Sequence, residues 1–157
     1  RRKQGVFLDV SVRDNISSVS LRHRAKGGFI NFPEERRISA EYLKKLRIKT
    51  PSDQEFVSYL SGGNQQRVVL GKWIARNMDV LILNGPTVGV DIGSKYDIHQ
   101  VMKELADEGM GILMISDDLP EVLAVSNRGI VIKNGRIAGS FETDGTTTEM
   151  LDEMIGV

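Results

Sequence analysis

The 157 residues predict an α/β protein, a parallel-strand core joined to an all-helical, basic first third. Three observations carry that prediction. Residues 80–83 and 111–115 are solid apolar runs, as strands buried on both faces of a parallel sheet should be. Between them Ile98, Val101, Met102 and Leu105 recur at i, i+3, i+4 and i+7, the core face of a helix. Strand, helix and strand of that length imply a right-handed parallel unit. Ahead of residue 60 the periodic stretches have helical spacing.

Taken in order, Ser11 and Asp14 form a capping box, with Ile16 and Val19 as the apolar face of a short helix. Residues 22–31, RHRAKGGFIN, are basic and broken by glycine, hence a loop. Pro33 suits the first turn of a helix, and Glu34 and Glu35 suit its dipole. Ile38, Tyr42, Leu43 and Leu46 continue that helix, and Thr50-Pro51-Ser52-Asp53 is a turn cluster. From Gln65 to about Asn77, Val68, Val69, Leu70, Trp73 and Ile74 make a broad apolar helical face. Ser94 and Asp97 read as a second capping box, opening a helix that Gly109 stops. A short helix is expected at 119–124. Strands at 129–133 and 137–141 flank Asn134-Gly135, a two-residue hairpin signal, and an amphipathic helix spans 147–155.

Composition narrows the field. Lys+Arg and Asp+Glu balance at 21 each, but residues 1–49 hold 13 basic against 5 acidic side chains and residues 50–157 hold 8 against 16, a split of +8 and −8. A basic first third suits nucleic acid, anionic headgroups or an acidic partner; it equally suits a solvated helical face. With no cysteine there is neither a disulfide framework nor a thiolate metal site. His23 and His99 are far apart without a ligand-spaced partner, so both read as surface or packing residues. No run approaches the ~20 apolar residues of a membrane span, and no signal peptide opens the sequence.

The chemistry concentrates in residues 60–67, LSGGNQQR. Gly62 and Gly63 allow close approach of a ligand to the backbone, and the helix that follows turns free N–H groups and the positive end of its dipole to the same place. With the Ser61 hydroxyl this is an anion site of the kind that holds phosphate; the plainer reading is a tight turn before a surface helix. A P-loop would supply a lysine for phosphate, but Gly71-Lys72 is followed by Trp73 within a helical stretch.

LSGGNQQR resembles the signature motif of ATP-binding-cassette (ABC) ATPases, in the Asn-Gln-Gln form of the monosaccharide (ribose, galactose, simple-sugar) importers. Residues 79–91, DVLILNGPTVGVD, are similar to that family's Walker B strand and D-loop. The resemblance runs from GVFLDVSVRDNI to the hairpin at Asn134-Gly135. It implies a partial P-loop-NTPase-like sheet core lacking the Walker A strand and loop, in the C-terminal part of a second nucleotide-binding domain. Residues 1–59 would be the linker after the Q-loop and the helical subdomain. Residues 60–157 would carry the signature helix, the Walker B/D-loop core and the C-terminal hairpin with its helix.

The resemblance further implies that Ser61, Gly62, Gly63 and Gln65 meet ATP held by another domain, with Asp91 as the D-loop aspartate. Gln65 is expected either to support the start of the signature helix or to lie exposed. Three positions depart from the family pattern. Asn84 and Gly85 stand where Walker B has its magnesium-shell Asp and its catalytic Glu, and Asp117 stands at the switch histidine. Asn lacks the charge that Mg²⁺ favours, loss of a general base costs ~10²–10⁴ in rate, and an anion beside a γ-phosphate repels it. The chain's own site is therefore expected to be degenerate, with no catalytic residue and no metal ligand in the chain alone. The plainer readings make Gly85, Pro86 and Gly89 turn residues and Asp117 and Asp118 helix-start acids, which is how Asp118 is taken.

ATP and Mg²⁺ are expected in the complete transporter, and neither on this chain by itself. Expected partners are the first nucleotide-binding domain of the same polypeptide, permease subunits in the inner membrane and, indirectly, a periplasmic sugar-binding protein. That places the protein peripherally on the cytoplasmic face of the membrane, with no nucleic-acid partner. Strands missing beside residues 80–83 would leave an apolar edge prone to self-association. Two alternatives stand beside this reading: a non-transport ABC ATPase acting on nucleic acid, and a catalytically inert interaction module.

Overall fold

The computed structural model describes residues 5–21 and 29–156. His23 and all but the last three residues of the expected loop at 22–31 lie outside the described residues. The chain divides into two compact units, one from Arg1–Leu81 with Thr87–Gly111 and one from Ile82–Pro86 with Ile112–Val157.

The first unit is helical. Helix α1, Val12–Ser17, starts where Ser11 Oγ accepts the Asp14 N–H at 3.0 Å, the expected cap; Val19 falls past its end. The buried Asn15 side chain accepts from Phe7 N and donates to Phe7 O and Ser11 O, pinning the segment before the helix. Helix α2, Phe32–Lys45, is capped by Asn31 with Pro33 in its first turn, and buries Ile38 and Tyr42. Its end passes through Arg47 at φ 52°, and Leu46 and Ile48 are buried on either side. A single 3-10 turn, Val57–Tyr59, leads to helix α3, Gly62–Ile74, whose Val68, Leu70 and Ile74 are buried and which packs with α2 around α1.

The expected apolar face of α3 needs one correction. Trp73 is exposed, whereas Lys72 is buried, its Nζ lying 4.3 Å over the Phe7 ring and donating to Gly5 O at 3.3 Å. A lysine stem covers apolar surface while its charge finds a ring face and a carbonyl. Helix α4, Ile92–Asp107, buries Ile98, Val101, Met102 and Leu105 as expected, and Gly109 follows it at φ +96°. Its cap, however, is Asp91, three residues ahead of the expected Ser94.

Strand β1, Val80–Asn84, pairs with β2, Gly111–Ile115. Gly111 N–H donates to Asp79 O at one end and Gly85 N–H to Ile115 O at the other, both at 2.8 Å, so the pairing is parallel as expected. The expectation of burial on both faces is overturned. Leu81 and Leu83 are buried, but Val80, Ile82, Leu113 and Ile115 are exposed, Ile82 at 64%. An apolar run shows that both faces tolerate burial; it does not supply the layer that would cover the second.

In the second unit α5, Leu119–Val125, precedes the antiparallel hairpin of β3, Arg128–Lys133, and β4, Arg136–Glu142. The hairpin turns on Asn134 and Gly135, both at positive φ, as the two-residue signal requires. Helix α6, Thr148–Ile155, is capped by Thr147, packs on β3, β4 and α5, and ends at Gly156 in the left-handed conformation.

Candidate functional site

The start of α3 is a turn held from several directions. Ser61 is exposed and caps the helix; its Oγ accepts from Asn64 Nδ2 at 3.0 Å and from Asn64 N at 3.5 Å. Asn64 Oδ1 accepts the Lys49 N–H at 2.9 Å, tying the turn to the chain leaving α2. Gln65 is turned inward, its Nε2 donating to Val57 O at 3.1 Å and Leu60 O at 3.0 Å, so its amide braces the approach to the helix.

The two glycines differ in what they accommodate. Gly62 is half-buried and Gly63 buried. A Cβ on Gly63 would fall within the Ser94 side chain, 2.5 Å from Ser94 Cβ. The glycine at 63 is thus demanded by α4 packing against the turn, and the case for ligand approach rests on Ser61 and Gly62. Ser61 borders a polar cleft of about 420 Å³ together with Lys49, Asn64, Arg67, Asp91 and Ser94. The Gly62 and Gly63 amides belong to the first turn, which has no intrahelical acceptor.

Asp91 is exposed; its Oδ1 accepts from Ser94 N at 2.9 Å and its Oδ2 from Ser94 Oγ at 2.8 Å. The Ser94 backbone N–H, and then its hydroxyl, hold this carboxyl below the usual carboxylate range. Ser94 therefore links Asp91 to Gly63. Asp97, expected to complete a capping box with Ser94, instead accepts from Arg67 Nη2 at 2.5 Å, while Arg67 Nη1 donates to Arg47 O at 2.6 Å. Arg67 is 3% exposed. Sequence reasoning missed it: the one signal was a charged residue on an otherwise apolar face, and its partners lie 20 and 30 residues away.

The other expected residues lie at the carboxyl ends of the parallel strands. Asn84 is the exposed last residue of β1, and Gly85 follows at φ 58°. After β2, Ser116 Oγ donates to Glu121 Oε2 at 2.8 Å and accepts from Asp118 N at 3.1 Å. Asp118 caps α5 by accepting from Glu121 N at 2.9 Å, and Asp117 is exposed. Carboxyl ends of parallel strands are where α/β proteins place ligands. A magnesium ion held with nucleotide phosphates takes one or two carboxylates. Here β1 ends in a neutral amide and a glycine, so these residues do not fit that ion. Among the described residues no group of three or more His, Cys, Asp or Glu has the geometry of a metal centre.

Comparison with known proteins meets this geometry from outside. The ABC transporter family profile matches residues 2–88. The chain is 44% identical over 151 residues to the ribose import ATP-binding protein RbsA of Geobacillus kaustophilus, covering 96% of this chain and 31% of that protein. It is 40% identical over 151 residues to the xylose import ATP-binding protein XylG of the same organism, covering 96% and 30%. The chain thus spans about a third of the length of these relatives. Among solved structures, a dimeric ATP-binding cassette in a post-hydrolysis state with ADP and Pi superposes with a TM-score of 0.75 at 22% identity, covering 90% of this chain and 60% of that one. The ADP conformation of an ATP-binding cassette of an ABC transporter gives 0.72 at 20%, covering 94% and 59%. At such identities the superpositions speak for the fold, which is that of ABC ATPase cassettes. The profile spans more than half of the sequence, and on that ground the chain belongs to the ABC transporter family.

Proposed function

We propose that this chain is the signature-donating part of the ATP-binding subunit of a sugar importer. Ser61, Gly62 and the first-turn amides of α3 would hold the γ-phosphate of ATP seated on a partner cassette, with Gln65 bracing the turn and Asp91 beside it at the same interface. The observation that carries the reading is the pairing of an open, polar, helix-start turn at Ser61 with a β1 that ends in Asn84-Gly85. The first offers hydrogen-bond donors and a positive dipole end to an anion; the second offers neither a general base nor an anionic metal ligand. Asp117 adds a negative charge at the neighbouring strand end. The chain's own site is then degenerate, and the chain by itself is inactive and binds neither ATP nor Mg²⁺.

The names of the relatives support import of a simple sugar by the whole protein. We accordingly propose a first nucleotide-binding domain in the same polypeptide, membrane permease subunits, and a periplasmic sugar-binding protein acting through them. Among the described residues no helix is long and apolar enough to cross a membrane, and we place the subunit peripherally on the cytoplasmic face. We also propose 1–59 and 60–157 as a functional division, a boundary different from that between the two compact units. Nucleic acid is not proposed as a partner: Lys45 and Arg47, two of the basic residues in question, are ion-paired with Glu108 and Glu104. The isolated chain is proposed to self-associate through an open apolar edge at β1, whose Val80 and Ile82 are exposed.

The test is steady-state ATP hydrolysis by the full-length protein with its permease. Gly62→Arg places a long side chain where the phosphate would sit, and turnover is expected to fall by at least about 10²-fold, the scale of losing one phosphate-stabilising donor set. Undiminished hydrolysis by a folded Gly62→Arg protein would sink signature donation and leave the inert interaction module.

A further inference from the structure

Resting on that reading, we infer that Arg67 is a positioning residue, fixing the signature turn to the helix behind Asp91 and to the exit of α2. It lies five residues into α3 from Gly62, about 7.5 Å along the axis. Its planar fork reaches two other elements at once, Nη1 to Arg47 O and Nη2 to Asp97 Oδ2. Asp97 lies one turn beyond Ser94, whose side chain occupies the space left by the absent Cβ of Gly63. One face of the first turns of α4 therefore touches the signature turn through Ser94 and grips the signature helix through Asp97. Asp91, capping α4 through Ser94, shares the same seat.

Stability alone does not account for this arginine. It is buried, and its Nε has no hydrogen-bond partner among the described residues. Replacing a buried ion pair with apolar side chains is often neutral or stabilising, so a buried guanidinium left one donor short is a poor way to build a core. What the fork supplies is a fixed distance and angle between three segments. The grip extends along α4: Asp97, Glu104 and Glu108, at i, i+7 and i+11, take Arg67, Arg47 and Lys45. The end of α2, the signature helix and the helix behind Asp91 consequently move as one piece, and a shift of α2 would reach Ser61 and Asp91 together.

The full-length protein tests this with Arg67→Met, Asp97→Asn, the double variant and Arg67→Lys, alongside Gly62→Arg. Misplacing a phosphate-gripping turn by a fraction of an ångström is expected to lower kcat on the order of tenfold for each single change, with KM for ATP moving less than about threefold. The double variant is expected to fall no further than the worse single one, because both remove the same link. Lysine reaches Asp97 alone, so Arg67→Lys should stay several-fold below wild type. Hydrogen exchange at residues 61–66 without nucleotide should quicken in Arg67→Met, a readout independent of turnover. Asp97→Asn changes a half-exposed side chain at nearly constant volume, so it keeps the test decisive if Arg67→Met unfolds. If Gly62→Arg retains activity, the signature reading itself fails. If Gly62→Arg is inactive while Arg67→Lys or Asp97→Asn turns over at the wild-type rate, or the single losses multiply in the double, the positioning role fails.

Discussion

The start of α3 and the carboxyl end of β1 both carry glycine, yet the signature region and the strand-end region formed by β1 and β2 are built differently. At α3 nearly every polar side chain is committed: Ser61 to Asn64, Asn64 to Lys49, Gln65 to two carbonyls, Ser94 to Asp91, and Arg67 to two segments. At the strand ends the order comes from Ser116, Asp118 and Glu121, while Asn84 and Asp117 stand exposed beside them. The contrast teaches that the side-chain hydrogen bonds holding a turn, more than the presence of glycine, separate these two regions.

Each side of that contrast can be broken. The largest effects are those set out above for Gly62→Arg and for the Arg67 series. Next comes Gly63→Val, whose Cβ must displace Ser94. Thermal or urea unfolding should show a loss of about 1–3 kcal/mol, the usual cost of overpacking, and Ser94→Gly in the same chain should recover most of it. Without such recovery, the close approach of Ser94 is not what requires a glycine. Smaller still is Gly85→Glu, which restores the family's carboxylate at a residue with φ 58°. The strained backbone should cost about 1 kcal/mol, and hydrolysis by the full-length protein should not rise, since Asn84 and Asp117 remain. The smallest is a titration. Asp91 is held below the usual carboxylate range by Ser94, so its contribution to the α4 cap is complete above the unfolded-chain pKa and lost as pH falls through the depressed value. NMR titration should place Asp91 below an ordinary aspartate, and Ser94→Ala should raise it.

Much of the fold was legible because it is written locally. Ser11, Thr147 and the Asn134-Gly135 turn are short-range signals, and the i, i+3, i+4, i+7 spacing of α4 needs only its own sixteen residues. The α4 cap was misread because Ser94 and Asp97 match a capping box in spacing, while the sequence alone does not show that Asp97 is taken by Arg67 or that Asp91 lies free to cap. The exposed face of β1 was illegible for a related reason, since an apolar run carries no information about what covers it. At the start of α3 the residue types were readable, but the reason for Gly63 sits 31 positions later in Ser94. Arg67 belongs to the same class, being meaningful only once three distant segments are brought together.

The ion pairs along α4 have a consequence for the whole polypeptide. The positive first third and the negative remainder act in part as each other's counterions, with Lys45 and Arg47 facing Glu108 and Glu104 across 57 to 63 residues of sequence. Their mutual attraction reaches roughly one Debye length, about 8 Å at physiological salt, and so acts once collapse has brought the segments near. A protein neutral in sum and divided in detail thereby gains a salt-sensitive bias in how its own halves meet.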